Sequence, residues 1–103
     1  MSLSNTATLL HVSAYYVIQL AAKVPQGKAE ECGRIGHSIK GAAANLMCYK
    51  LRDAALAMER VGLAAVTKTK PKDQIQVDLE ATHAGLIREM ARFEVYLKGM
   101  GLI

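Results

Sequence analysis

Tryptophan is absent from this chain, phenylalanine occurs once, and two prolines and two cysteines are spread over 103 residues. Each shortage closes off possibilities. With only Pro25 and Pro71 as breakers, and a background rich in Ala, Leu, Lys, Glu and Met, long helices are favoured. Cys32 and Cys48 belong to no Cys-x-x-Cys pair and fall on opposite faces of one expected helix, so they read as reduced thiols in a cytosolic chain. There is no alternating apolar run of strand type, no internal repeat and no low-complexity tract. No phosphate-cradling glycine loop followed by Lys-Ser/Thr is found, so self-phosphorylation from ATP is excluded. His-x-x-x-His, Glu-x-x-His and clustered carboxylates are also missing, which leaves no expected metal site. His11 and His83, on different helices and near apolar faces, read as structural residues at helix edges.

The formal net charge is +4, from thirteen Lys and Arg against nine Asp and Glu. Without a dense basic run, and with Tyr and a single Phe as the only aromatics, nucleic-acid binding is not indicated. An acidic protein partner fits the same balance. The apolar run from Ala7 to Ala22 lacks a basic leader and carries His11, Ser13, Tyr15, Tyr16 and Gln19, which argues against a signal or membrane segment.

What is present is helical periodicity. The length suits one domain, 1–103, able to bury a core without metal or disulfide. Leu9, Leu10, Val12, Tyr16, Val17 and Leu20 recur at helical spacing behind a cap at Ser4 or Asn5, and Val24-Pro25-Gln26-Gly27 stops that helix. A second helix is expected from about Lys28 to Leu46, with a turn near Met47 to Tyr49 that no Gly or Pro marks. Leu51, Ala54, Ala55, Met58, Val61 and Ala65 stripe a third, leaving Arg52 and Glu59 outward, until the polar loop Lys68-Thr69-Lys70-Pro71-Lys72. Ile75, Leu79, Thr82, Leu86, Met90, Phe93 and Leu97 stripe a fourth, ended by Gly99 and Gly101. The expected fold is all-α, an antiparallel up-down four-helix bundle.

The stretch Glu30 to Cys48 resists a purely architectural reading. At 100° per residue, Glu30, Gly33, Arg34, His37, Lys40, Gly41, Ala44 and Cys48 share one side, and Cys32, Ile35, Ile39, Ala42, Ala43 and Leu46 the other. Gly33, Gly36 and Gly41 together cost a helix roughly 2 to 3 kcal/mol. Two explanations stand. Either the glycines let helices pack tightly and His37 is merely solvated, or they clear space around the imidazole for a macromolecule to approach. An imidazole at neutral pH offers an unprotonated nitrogen as nucleophile, and Lys40, one turn on, can balance charge on a phosphoryl group that the ring accepts. Arg34, one turn back, is placed to assist or to touch a partner.

The run His37-Ser38-Ile39-Lys40-Gly41-Ala42-Ala43-Ala44-Asn45-Leu46 closely resembles the histidine phosphotransfer (HPt) domains of phosphorelays, whose signature is His-x-x-Lys-Gly followed by small residues and often Asn-Leu. Leu51 and Met58-Glu59 extend the resemblance, while Met47-Cys48 stand where many members have Gly-Ala. The resemblance implies that His37, exposed on the second helix, is phosphorylated, that Lys40 stabilises the phosphate, and that Gly41 admits the partner, with Gly33, Arg34, Ala44 and Asn45 as partner contacts. It implies a receiver domain as partner, bearing the aspartate and the Mg²⁺, with a hybrid histidine kinase as a second candidate partner and no cofactor bound by this chain. The function it implies is that of a cytoplasmic, monomeric relay intermediate rather than an autonomous kinase. The alternatives are the phosphoacceptor domain of a chemotaxis-type histidine kinase, and a non-catalytic helical adaptor that docks a receiver.

Overall fold

In the computed structural model, residues 14–101 are described, and among them every regular element is a helix. Helix α1 covers residues 14–23, α2 Ala29–Asn45, α3 Tyr49–Thr67 and α4 Lys72–Gly99. The expected cap at Ser4 or Asn5, the stripe positions Leu9, Leu10 and Val12, and His11 lie outside the described residues. The chain is elongated, 45 × 21 × 17 Å, and no helix among the described residues is long and apolar enough to cross a membrane.

The apolar stripes meet in one core. Leu20 of α1, Cys32 and Ile39 of α2, Met58 of α3, and Leu79, Leu86 and Leu97 of α4 are its largest fully buried side chains. In α4 the expected face is the observed one: six of its seven stripe residues are buried, and Thr82 is half-buried with its hydroxyl donating to the Asp78 and Leu79 carbonyls. Val17 departs from expectation, remaining exposed on α1 while its neighbour Tyr16 packs against the core.

The connections are short and internally hydrogen-bonded. Between α1 and α2, Gly27 takes a φ of 69°, and the Gln76 amide of α4 donates to the Val24 carbonyl at 3.0 Å, pinning the turn. Helix α2 ends without a glycine because Met47 itself adopts the left-handed conformation, with φ 58°. The Cys48 amide then reaches back to the Ala43 carbonyl at 2.9 Å and the Met47 amide to that of Ala44 at 3.1 Å, closing the Schellman pattern that Gly usually supports. Cys48 therefore lies in the turn, half-buried, rather than on the face of α2, and both cysteines are free. Lys68, φ 55°, ends α3 in the same way.

Helices α2 and α3 meet along a seam of glycines. A Cβ on Gly33 would stand 2.8 Å from the Gly62 Cα, and one on Gly36 would stand 2.7 Å from the Ala55 carbonyl oxygen and 3.0 Å from the Glu59 nitrogen. Gly62, in turn, faces Gly33 and the Ala29 carbonyl. The pairing of 29 and 33 with 62, and of 36 with 55 and 59, sets α2 and α3 in opposite directions and fixes their register. Backbone-to-backbone contact offsets the helix cost of these glycines through dense packing.

Candidate functional site

The seam decides which side chains meet above it. Packing Gly33 and Gly36 against α3 turns His37, Ser38, Arg34 and Gly41 to solvent and leaves Lys40 at the edge, half-buried. The same register brings Glu59 of α3 beside His37 and Lys40. Glu59 Oε2 lies 2.5 Å from His37 Nδ1, and its Oε1 accepts a hydrogen bond from Lys40 Nζ at 2.8 Å. The His37 side chain is 71% exposed, against 29% for Lys40 and 27% for Glu59, so the carboxylate sits below a ring whose far edge is open.

Electrostatics fix the role of each atom in this cluster. The Lys40 hydrogen bond, reinforced by that from His37, holds the Glu59 carboxyl below its ordinary range against a smaller opposing effect of burial. At neutral pH Glu59 is therefore an anion that can only accept, so Nδ1 of His37 carries the proton and donates. In the neutral ring the lone pair is then on Nε2, the nitrogen directed away from Glu59. This is the arrangement of an oriented nucleophile: a carboxylate selects the tautomer and a cation stands one helical turn away.

The remaining expected site residues separate into two groups. Around Gly41 nothing among the described residues lies within 4 Å of where a Cβ would be, so no packing among them requires a glycine there. Ala44 and Asn45 are exposed on the same stretch, Asn45 being the last residue of α2. Arg34 is exposed too, but its guanidinium turns back along the helix to Glu30 at 2.6 Å, not toward His37. Gly33, expected at the partner surface, is instead buried in the seam. A wheel places it on the border of the two faces, and the close approach of α3 claims it for the interior. Of the three glycines, two thus serve helix packing and one leaves open space.

Glu59 is the member of the cluster whose expected placement is corrected. It is half-buried beside α2 rather than outward. Its sequence signal is its place in the Met58-Glu59 pair that extends the family resemblance, but what it touches becomes specific only when the register of α2 against α3 is known. Elsewhere, the buried Nε2 of His83 has no hydrogen-bond partner among the described residues, and burial pushes its pKa down. No cluster of metal-ligating side chains occurs among the described residues.

A scan against protein-family models matches the Hpt domain over residues 7–94. Neither curated proteins nor solved structures give a match. The matched span contains all of α2 and α3 and most of α4, including His37, Lys40, Gly41 and Glu59. The chain belongs to the Hpt domain family, the phosphotransfer domains of two-component phosphorelays.

Proposed function

We propose that this chain is a relay intermediate that accepts a phosphoryl group on His37 Nε2 from an aspartyl phosphate of a receiver domain and returns it to another. The observation that carries the reading is the Glu59 carboxylate bridging His37 Nδ1 and Lys40 Nζ. In the forward step the Nε2 lone pair forms the N–P bond as the acyl P–O bond of the partner's aspartyl phosphate breaks, restoring a free carboxylate there. The proton on Nδ1 stays in place. Positive charge developing on the ring faces the Glu59 anion, and Lys40 shifts one or more of its three N–H donors to the incoming phosphoryl oxygens. The reverse step uses the same atoms.

Little covalent chemistry is asked of the chain, because phosphoryl transfer depends mainly on alignment and charge stabilisation. Mg²⁺ belongs to the receiver on this reading. Gly41, with open space around it, and exposed Ala44 and Asn45 form the surface the receiver approaches. The bundle that supports them is up-down and antiparallel, a reading favoured by the short connections and the opposed directions of α2 and α3. The domain works as a cytoplasmic monomer.

Incubation with a phosphorylated receiver should label the protein in an acid-labile, base-stable form, and His37→Gln should remove the label. Labelling retained in that variant rules out His37 as the acceptor.

A further inference from the structure

An open groove of about 1060 Å³ lies between the start of α2 and the connection from α3 to α4. Its apolar floor includes Val66, Pro71 and Ile75, and its rim is basic, with Lys28, Arg34, Lys68, Lys70 and Lys72 against Glu30 and Glu31. Five basic residues less two acidic ones leave an excess of three positive charges. Ion pairs show where that excess resides. Arg34 holds Glu30 at 2.6 Å, Glu31 is held at 3.1 Å by Lys23 from outside the lining with Lys28 more distant at 3.9 Å, and Lys70 is held at 3.0 Å by Asp78, also from outside. Among the described residues Lys68 and Lys72 enter no ion pair, so unpaired positive charge lies along the α3–α4 side of the groove. Lys68 occupies a left-handed position that Gly would take at less cost, and so presents an ammonium where a bare turn would suffice.

We propose that this groove docks an acidic, extended polypeptide segment of a protein partner, through contacts that do not involve His37. Its volume reaches the upper end of small-molecule pockets, and it is open rather than enclosing, which suits a strand of polypeptide better than a metabolite. The apolar floor between basic edges matches a segment that alternates acidic and apolar side chains, one set against Val66 and Ile75 and the other toward Lys68 and Lys72. Nucleic acid fits less well, because no aromatic side chain lines the groove for base stacking and only two cations are free to meet phosphates. A membrane surface gains about 1 kcal/mol per basic residue, so two free cations give it little hold. Arg34 lines the groove, whereas His37 is not among its lining residues.

The test is fluorescence anisotropy with the full chain and a fluorescein-labelled peptide alternating Glu and Leu. Saturable binding is expected at about 50 mM salt, weakening at about 200 mM. Lys68→Glu with Lys72→Glu should weaken it at least about tenfold. His37→Gln should leave it unchanged, as should Lys50→Glu with Lys98→Glu, which alters net charge equally elsewhere. Should the first double variant fold poorly by circular dichroism, Lys68→Gly with Lys72→Ala removes the charges while favouring the turn. The proposal fails if binding does not saturate by about 1 mM peptide, if the distant double variant loses as much, or if the groove variants bind normally. Tighter binding to single-stranded DNA or to phosphatidylserine vesicles, lost in the same groove variants, would overturn it in favour of that partner class. Because His37 is dispensable to the measurement, none of these outcomes bears on phosphotransfer.

Discussion

Adding one methyl group at Gly36 and at Gly41, five residues apart on α2, should change stability in opposite directions. In Gly36→Ala the new Cβ meets the Ala55 carbonyl oxygen at 2.7 Å, the Glu59 nitrogen at 3.0 Å and the Met58 Cβ at 3.3 Å. The first two are backbone atoms and cannot rotate away, so α2 and α3 must part. Overpacking of this kind costs about 1 to 3 kcal/mol, and the better helix propensity of Ala returns up to about 1 kcal/mol. With the full propensity gain the net change is a loss of up to about 2 kcal/mol. In Gly41→Ala the methyl enters open space, so only the propensity gain of about 0.5 to 1 kcal/mol remains. Urea unfolding followed by circular dichroism would read these as shifts of opposite sign in midpoint, and a thermal scan as about 4 to 8 °C per kcal/mol for a domain of this size. Separation of the helices also carries Glu59 away from His37, so Gly36→Ala should slow acceptance of phosphate from a receiver even where the protein is folded. A Gly36→Ala protein as stable as the parent, with unaltered transfer, would refute the seam as the feature that sets the site.

Three further outcomes can be measured. Lys40→Ala should slow phosphoryl transfer by about a hundredfold, the scale of losing one charge-stabilising donor. It should lower stability by no more than about 1 kcal/mol, since its pair with Glu59 is partly solvated. A Lys40→Ala protein that unfolds would instead mark the lysine as structural. Met47→Gly should stabilise the protein by about 1 kcal/mol by relieving the positive φ, and denaturant unfolding with an unmoved midpoint would exclude strain there. His83 titrates below the ordinary histidine value of 6.5 in the folded chain. Between the two values the unfolded chain binds more protons, so stability rises with pH in that window and falls as pH drops below about 6.5. His83→Gln should flatten that slope in unfolding measured from pH 7 down to pH 5, and an unchanged slope would assign it to another group.

Much of this architecture is legible without coordinates, for reasons that differ between elements. The stripe Ile75 to Leu97 identifies α4 because one long apolar face repeated at helical spacing has no other good arrangement. His37 and Lys40 announce themselves by sharing a helix, where spacing alone brings side chains together. Glu59 does not, because it approaches from another helix and its placement depends on how α2 and α3 are registered. That register rests on contacts between residues 33 and 62, which periodicity within one helix does not encode. The same ignorance misplaces Gly33, since a border position is inside or outside according to how near the neighbouring helix comes. The end of α2 is hidden for a local reason: Met47 performs a glycine's task, so the usual mark of a stop is missing.

The glycine seam also divides labour along α2. Residues 33 and 36 face inward and hold the carboxylate that orients the ring, so a larger side chain there alters reactivity whatever the partner. Gly41, Ala44 and Asn45 face outward and bear no part of that support, so on the proposed function substitutions there should retune which receiver is accepted while the imidazole stays oriented. On the proposed function, partner choice and chemical competence are carried by separate rows of one helix, and a relay built this way could acquire a new correspondent without rebuilding its acceptor.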